Sequence, residues 1–293
     1  MTDQDETSIA LLGIGLMGRA MAEKLLAARY SVTAYNRTRE KALALIELGA
    51  KVVDQPEEAI ESGECILLML ADERAIRETL LSPRSKRQLR GKSVIQMGTI
   101  GPGESHLLQA EVFASGGGYL EAPVLGSIAQ IQAGELIVMV GAEPEQFDRW
   151  KGLLTTFGPD PKLIGPVGSA AALKLALNQL IGSLTTAFSL SLAMVLKEGI
   201  PADTFMRILR RSALYAPTFD KKLGRMLERD FRAPSFPGRL MLKDIKLVEE
   251  EARTLGLQTF ALEGIRQALE RAVEMGFGDD DYSAVYNAIN PAA

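Results

Sequence analysis

The 293-residue sequence has few of the residues that build covalent or metal-bound frameworks, with one cysteine, Cys65, and one histidine, His106. A single cysteine excludes an internal disulfide framework and a cysteine-based zinc site, and it favours a reducing, cytoplasmic location. Cys65 lies in the apolar run CILLML, where we expect a buried strand residue. His106 lies in GESHLLQAE, a pattern typical of a helix surface. We therefore predict no metal site and no acid–base role for histidine.

The sequence also lacks a large excess of either charge. It has 33 lysines and arginines and 37 aspartates and glutamates, which give a net charge of −4. This balance gives no reason to expect nucleic acid or an anionic membrane as a partner. The opening segment MTDQDETS is acidic and polar, so no signal peptide is expected.

One segment, residues 175–196, has no charged residue and is long enough to span a bilayer. Polar side chains from Asn178 to Ser191 interrupt it, and no other segment resembles a span. A helix that is apolar on most sides is more simply a central helix buried between domains or subunits. We therefore expect a homodimer or homotetramer and no membrane partner.

The order of predicted elements changes near the middle of the chain. Before residue 164, β-rich runs such as IALLGI and YLEAPV alternate with helical stretches, which indicates an α/β fold with a doubly wound, mainly parallel sheet. The boundary segment GPDPKLIGPVG holds one last candidate strand, KLIG, and the rest has helical periodicity. The sequence thus predicts an α/β domain at residues 1–164 and an all-α domain at residues 165–293, joined by a long interdomain helix. The helices predicted in the first domain are Met17–Arg29, Arg39–Leu48, Glu73–Leu81, Glu104–Ala114 and Pro144–Phe157.

The run GIGLMG follows the first apolar strand and opens the first helix. In that position G-x-G-x-x-G is the fingerprint of a Rossmann dinucleotide-binding unit. Its glycines allow a tight turn and let the backbone approach a pyrophosphate at the helix N-terminus. Two residues at the end of CILLML join the predicted cofactor-binding set. That set is Gly13, Ile14, Gly15, Leu16, Met17, Gly18, Met69 and Leu70.

The end of the second strand indicates which dinucleotide is bound. Enzymes that use NAD place Asp or Glu there to bind the ribose hydroxyls, whereas this chain has Tyr35-Asn36-Arg37-Thr38. Arg37 can hold a 2′-phosphate bidentately, with Asn36 and Thr38 as neutral donors, and no carboxylate repels it. We predict that NADPH is preferred over NADH by at least about tenfold in kcat/KM, since hydrogen bonds to charged groups are strong.

A lysine at the head of an otherwise apolar helix is costly unless it has a use. Lys174, in GPVGSAAALKLALNQ, is such a residue, and Asn178 follows on the same helix face four residues later. Reduction of a carbonyl needs a proton donor for the developing alkoxide. Desolvation lowers the pKa of a lysine while leaving it able to protonate that oxygen. Lys174 is therefore a candidate general acid, although the spacing alone equally allows a lysine that only snorkels at a helix start.

Four motifs in order make the chain resemble the β-hydroxyacid dehydrogenases over essentially its full length. They are GIGLMG, the substrate-loop run EAPVLGS at Glu121–Ser127, the catalytic run GPVGSAAALKLALN, and Phe236-Pro237 followed by Lys243-Asp244. Within the family the chain is most similar to the NADPH-dependent glyoxylate/succinic semialdehyde reductase branch. It is more distantly similar to the 3-hydroxyisobutyrate dehydrogenases.

The resemblance implies a role for each matching residue. Lys174 would be the general acid of reduction, and Asn178 would hold Lys174 or the substrate. The other implied positions are Thr99 beside the nicotinamide and substrate, Lys243 at the cofactor, Gly126 and Ser127 as donors to a substrate carboxylate, and Phe236 and Asp244 near the substrate.

Two positions depart from the family pattern. Leu125 stands where the substrate loop usually has serine, and Gly98 replaces a common serine before Thr99. An apolar group at Leu125 removes a hydroxyl donor, so it is expected to weaken the binding of small acids such as glyoxylate and to favour larger or less polar carbonyls.

Three functions remain open at this point. The first is NADPH-dependent reduction of a small carboxylate-bearing aldehyde or 2-oxo acid to the hydroxy acid. The second is imine reduction, because imine reductases share this architecture. They usually carry Asp or Tyr in place of Lys174, but Leu125 keeps imine reduction open as a side activity. The third is a non-catalytic cofactor-binding scaffold, whose known types have lost the lysine.

Overall fold

The computed structural model describes residues 7–291, so the prediction about a signal peptide concerns a segment that lies largely outside the described residues. The chain divides into two compact units, the first ending at Lys174 and the second beginning at Leu175.

The first unit is built on a nine-stranded sheet with the order β3-β2-β1-β4-β5-β6-β8-β7, and β9 also pairs with β8. All pairs from β3 to β6 are parallel, whereas β8 runs antiparallel to β6 and β7. This confirms the predicted doubly wound, mainly parallel sheet. The strands are β1 (Ser8–Leu12), β2 (Ser31–Tyr35), β3 (Lys51–Val52), β4 (Cys65–Leu68), β5 (Ser93–Gln96), β6 (Gly118–Glu121), β7 (Val124–Leu125), β8 (Ile137–Gly141) and β9 (Lys162–Gly165).

Apolar side chains cover both faces of this sheet. Along β1, Ile9 and Leu11 belong to one core cluster and Ala10 and Leu12 to the other, as the alternation of a strand requires. Burial on both faces explains why the strands are continuous apolar runs, and Cys65 is buried in β4 as predicted. The helices are α1 (Leu16–Ala27), α2 (Pro56–Ser62), α3 (Glu73–Leu80), α4 (Pro83–Arg87), α5 (Pro102–Ala114), α6 (Ile128–Ala133) and α7 (Pro144–Thr155).

The helix predicted at residues 39–48 is wrong. The segment forms two short 3₁₀ turns, Arg39–Lys41 and Leu43–Leu45. Only Ala42 and Leu45 are fully buried there, and a spacing of three suits a 3₁₀ turn with three residues per turn. Leu43, Ile46 and Leu48 are exposed, so the apolar residues do not form the buried stripe that would stabilise an α-helix.

The predicted strand YLEAPV is interrupted at Ala122-Pro123, which separates β6 from β7. Proline has no N–H to give to a strand ladder, so it ends regular pairing. Helix α6 follows β7 and was not predicted, although its start carries a readable signal. Ser127 and Gln130 form a capping box at its first turn.

The second unit is helical, and in the described part of the chain after β9 no strand occurs. Helix α8 (Ser169–Lys197) begins in the first unit and continues into the second. The other helices are α9 (Ala202–Leu209), α10 (Pro217–Glu228), α11 (Gly238–Thr254), α12 (Phe260–Ala272) and α13 (Val285–Ile289). Helix α12 ends at Ala272, and beyond it the chain turns at Gly276, which has a φ of +93°.

A buried ion pair fixes the approach to α11 in this unit. Lys222 donates to Asp281 at 2.8 Å, and it also donates to Ser235 at 3.0 Å. Asp281 in turn accepts from the backbone amide of Ser235. Removing either charge would leave the other buried without its counter-ion, which is strongly destabilising. The pair therefore anchors the segment that leads through Phe236 into α11.

Helix α8 is the one helix among the described residues that is long and apolar enough to cross a membrane, judged by length and composition. In its most apolar window 33% of the residues are buried inside the structure. The core helix of a soluble protein has the same length and composition, so this feature by itself carries little weight.

Candidate active site

The glycine-rich loop between β1 and α1 packs against the end of β4. Gly13 has a φ of +105°, and a Cβ there would overlap the carbonyl oxygen of Met69. A Cβ at Gly18 would overlap the carbonyl oxygen of Gly13 in the same way. Both positions therefore require glycine, and Met69 and Leu70 lie against the loop.

The first turn of α1 has the properties of an anion-binding site. Gly15 is its N-cap and makes no side-chain capping bond, and the turn Leu16–Arg19 carries no acidic residue. A Cβ at Gly15 would meet no atom of the described chain within 4 Å. The helix N-terminus thus offers amide donors and the positive end of the helix dipole, and the space beside Gly15 is open. This combination fits a dinucleotide pyrophosphate.

Asn36 fastens the end of β2 to this loop. Its Oδ1 accepts from the amide of Ile14 at 2.9 Å, and its Nδ2 donates to the carbonyl of Thr38 at 2.7 Å. The amide of Gly13 also donates to the carbonyl of Tyr35 at 2.9 Å. The end of β2 and the glycine loop therefore form one rigid corner.

Arg37 and Thr38 extend from that corner and are exposed. The four residues at the end of β2 include no carboxylate. Burial raises the pKa of the Tyr35 hydroxyl, the Glu57 charge adds to this rise, and the Arg37 guanidinium opposes it. Arg37 thus places a positive charge close to Tyr35.

Thr99 follows β5 on a turn that a buried glutamine holds in place. The side chain of Gln96 accepts from the amide of Gly98 and donates to its carbonyl, both at 3.2 Å. A Cβ at Gly98 would lie 2.6 Å from the carbonyl oxygen of Leu70. This close approach explains why glycine precedes Thr99 in this chain, and it makes Gln96 a supporting residue that the sequence did not reveal.

The substrate-loop residues lie between β7 and the start of α6. Leu125 is half-buried at the end of β7 and pairs with Ile137 of β8. Gly126 follows, and Ser127 is the N-cap of α6. The amide of Ser127 donates to Oε1 of Gln130 at 2.8 Å, and its hydroxyl donates to the same oxygen. The family resemblance assigns Gly126 and Ser127 as donors to a substrate carboxylate, and both donors of Ser127 are engaged by Gln130, a residue that the sequence analysis did not predict.

Glu121, directly before this loop, has its carboxylate buried at the start of α8. Its Oε1 accepts from the amides of Gly168, Ala170 and Ala171 at 2.9, 2.9 and 3.0 Å. Ser105 donates its hydroxyl to the other oxygen. Burial raises the pKa of the Glu121 carboxyl, and these hydrogen bonds oppose the rise. The sequence signal for this residue was an acid inside an apolar strand, which is costly unless it is bonded.

Lys174 is half-buried on α8, and Asn178 follows one turn later. Asn178, with 2% exposure, donates its Nδ2 to Oδ2 of Asp244 at 2.6 Å. Asp244, with 1% exposure, forms an ion pair with Lys243 at 2.8 Å. Three predicted residues therefore lie together in the second unit: Asn178 of α8, and Lys243 and Asp244 of α11.

The remaining predicted residues have simpler surroundings. Phe236 packs edge-on against Tyr282, with ring centroids 5.9 Å apart, in the segment before α11. His106 is exposed on α5 as predicted. Among the described residues there is no group of three or more His, Cys, Asp or Glu side chains that could hold a metal ion.

Sequence profiles match nearly the whole chain in two parts. Residues 8–167 match the NAD binding domain of 6-phosphogluconate dehydrogenase, and residues 168–289 match the family described as NAD-binding of NADP-dependent 3-hydroxyisobutyrate dehydrogenase.

Similar proteins span the full length of the chain. Glyoxylate/succinic semialdehyde reductase 1 of Arabidopsis thaliana is 31% identical, over 96% of this chain and 98% of that protein. Its chloroplastic counterpart, reductase 2, is 28% identical, over 97% and 80%. The crystal structure of a 3-hydroxyisobutyrate dehydrogenase from Salmonella typhimurium has the same fold, with a TM-score of 0.87 and 21% identity over 96% of this chain and 99% of that one.

Proposed function

The chain belongs to the β-hydroxyacid dehydrogenase family, and from this premise we propose that it uses NADPH to reduce a small carboxylate-bearing aldehyde or 2-oxo acid. Because its relatives over the same length are reductases, the chain is a nicotinamide-dependent oxidoreductase. The cofactor preference and the substrate class are our proposals. The observation that carries the proposed reduction is Lys174 at the head of an apolar helix, one turn before an Asn178 that is itself fixed by Asp244. The proposed cofactor preference rests on Arg37 at the end of β2.

The residues of the first unit fit a dinucleotide. The open cradle at Gly15 and the amides of the first turn of α1 would hold the pyrophosphate. Arg37 would hold the 2′-phosphate, because its planar fork matches a phosphate and the four residues at the end of β2 include no carboxylate. When bound, NADPH supplies the hydride that reduces the carbonyl carbon.

Lys174 would hold the proton that the carbonyl oxygen needs as negative charge develops on it. An ammonium close to that oxygen also stabilises the charge before the proton moves. Asn178 is held by its hydrogen bond to Asp244, so its amide keeps one orientation on the helix face of Lys174. We propose that this fixed amide orients Lys174 or the substrate beside it.

The substrate loop would set which carbonyl compounds are accepted. Leu125 presents an apolar side chain where relatives commonly offer a hydroxyl, and Gln130 engages the donors of Ser127. A carboxylate that binds here would have to replace Gln130 as the acceptor of those donors. We therefore propose that glyoxylate is a poor substrate and that a larger or less polar carbonyl, such as a longer semialdehyde, is a better one.

Replacing Leu125 by serine tests this specificity. The added hydroxyl can donate to the carboxylate of a small acid, so KM for glyoxylate is expected to fall about tenfold while kcat changes little. KM for succinic semialdehyde should rise or stay constant. Steady-state kinetics with both substrates measures the change. An Ile137→Ser variant on the neighbouring strand is the control, and an equal effect there would contradict a direct role for Leu125.

A screen of NADPH oxidation tests the function itself. The panel contains glyoxylate, succinic semialdehyde, other short oxo acids and cyclic imines. Turnover of an acid-bearing carbonyl at least about tenfold faster than any imine supports the proposal. The reverse order would make imine reduction the function. Tight NADPH binding without turnover of any member would favour a non-catalytic role.

We further propose that the apolar face of α8 packs against a second copy of the chain. Leu180, Leu184, Leu190 and Met194 are exposed along this helix, and exposed apolar patches of this kind mark protein interfaces. The protein is therefore expected to be a dimer or tetramer at micromolar concentration. Light scattering should show dissociation for Leu190→Glu, where exposure is 62%, but not for Phe113→Glu on α5, where it is 79%. A monomeric parent protein would refute the proposal.

A further inference from the structure

Glu121 connects two segments of the first unit that carry the proposed chemistry. It is the last residue of β6 and directly precedes the substrate-loop segment that contains Leu125 and Ser127. Its carboxylate, with 1% exposure, accepts the three backbone hydrogen bonds at the start of α8. The proposed reaction does not use a carboxylate at this position, so its burial needs another explanation.

The three amides are among those that a helix leaves without internal partners at its first turn. A carboxylate suits them, because the N-terminal end of a helix carries partial positive charge. Ser105 donates its single proton to Glu121, so the Tyr119 hydroxyl, 2.9 Å from Ser105, donates to the serine. The Ser105 hydroxyl that binds the second oxygen of Glu121 is thus itself fixed by the hydroxyl of Tyr119.

The carboxylate also packs closely against the neighbouring strand β8. A Cβ at Gly141, which pairs with Glu121 across β6 and β8, would overlap its Oε1. The tethered amide of Ala170 lies four residues before Lys174, on the same face of α8 and about 6 Å along the helix axis. A shift of the helix start would therefore carry Lys174 with it.

We propose that Glu121 is a positioning residue for Lys174, fixing the start of α8 to the strand that leads into the substrate loop. The proposal rests on the proposed function, in which Lys174 is the proton donor. Catalysis depends on such fixing, because a misplacement of 1 Å can slow a reaction by up to about 10²-fold.

Two substitutions separate position from charge. Glu121→Asp keeps the charge but withdraws the carboxylate from the amides by one methylene. Glu121→Gln loses the charge but keeps an acceptor oxygen at the same reach. We expect kcat to fall about tenfold in the aspartate variant and by at most about threefold in the glutamine variant, with the Kd of NADPH within about twofold of the parent value. The opposite order, or an unchanged kcat in both variants, would overturn the proposal.

A double-mutant cycle shows whether the effect passes through Lys174. In a Lys174→Ala background, Glu121→Asp should lower the residual rate by no more than about twofold, because coupled residues are not additive. A full, additive loss would show a general structural effect and would contradict the proposal. If Lys174→Ala alone keeps parental turnover, the proposed function fails first, and the cycle reports this separately.

Hydrogen exchange gives a readout that does not depend on turnover. The amides of Ala170 and Ala171 should exchange faster in Glu121→Asp than in Glu121→Gln, because only glutamine still reaches them. Glu111→Asp is the matched control, since Glu111 is a half-buried carboxylate of α5 bonded to Arg77 and Lys86. It should lower the Tm without changing kcat or exchange at α8. Equal exchange in both Glu121 variants would refute the tether.

Discussion

Lys174→Ala is expected to lower kcat for carbonyl reduction by about 10³-fold, within the range of 10²–10⁴ that general acid catalysis contributes. The loss should appear in kcat and kcat/KM alike, because the proton is needed in the transition state and not for substrate binding. The Kd of NADPH, measured by fluorescence titration, should stay within about twofold of the parent value, since the proposed contacts to the pyrophosphate and the 2′-phosphate lie between β1 and α1 and directly after β2.

The Lys174→Arg variant distinguishes proton donation by Lys174 from stabilisation of the negative charge that develops on the carbonyl oxygen. Arginine keeps a positive charge at this position, but its guanidinium stays protonated in proteins and cannot act as a proton donor of this kind. A general-acid role predicts that the arginine variant is nearly as slow as the alanine variant. Lys197→Ala, at the far end of α8, is the control and should have parental kinetics. Parental turnover in Lys174→Ala would remove the assigned role.

The sequence predicted the parts of the site whose geometry is local. The glycine loop is one such part, because Gly13 and Gly18 are required by backbone approaches within a single β-turn-α unit. The sheet class is another, since strands buried on both faces must be continuous apolar runs. Both follow from residues that are near each other along the chain.

The parts that could not be predicted depend on contacts between distant segments. Glu121 bonds to amides 47 to 50 positions further along, and Asn178 meets Asp244 across 66 positions. Sequence spacing does not encode either meeting. The helix predicted at residues 39–48 failed for a related reason, because the spacing of its leucines does not show which of them the sheet covers. Gln130 is different, since the S-x-x-Q capping box could have been read from the sequence.

Arg37→Glu is expected to reverse the cofactor preference. The parent protein should favour NADPH by at least about tenfold in kcat/KM, because a guanidinium bonded to phosphate contributes about 1.5–3 kcal/mol. A carboxylate at this position would repel the 2′-phosphate and accept hydrogen bonds from the ribose hydroxyls of NADH instead. We expect kcat/KM with NADPH to fall at least about 10²-fold and the value with NADH to rise, with kcat at saturating cofactor nearly constant.

The structure at the end of β2 allows the effect of Arg37 to be tested separately from a change in the fold. Asn36 holds the glycine loop through the amide of Ile14, so the corner keeps its shape when the exposed Arg37 is changed. Arg39 is the matched control, because it is also exposed but forms an ion pair with Asp54 at 2.6 Å. Arg39→Glu should change the NADPH-to-NADH ratio far less than Arg37→Glu. A parent protein that prefers NADH, or equal shifts in the two variants, would show that the 2′-phosphate is not recognised by Arg37.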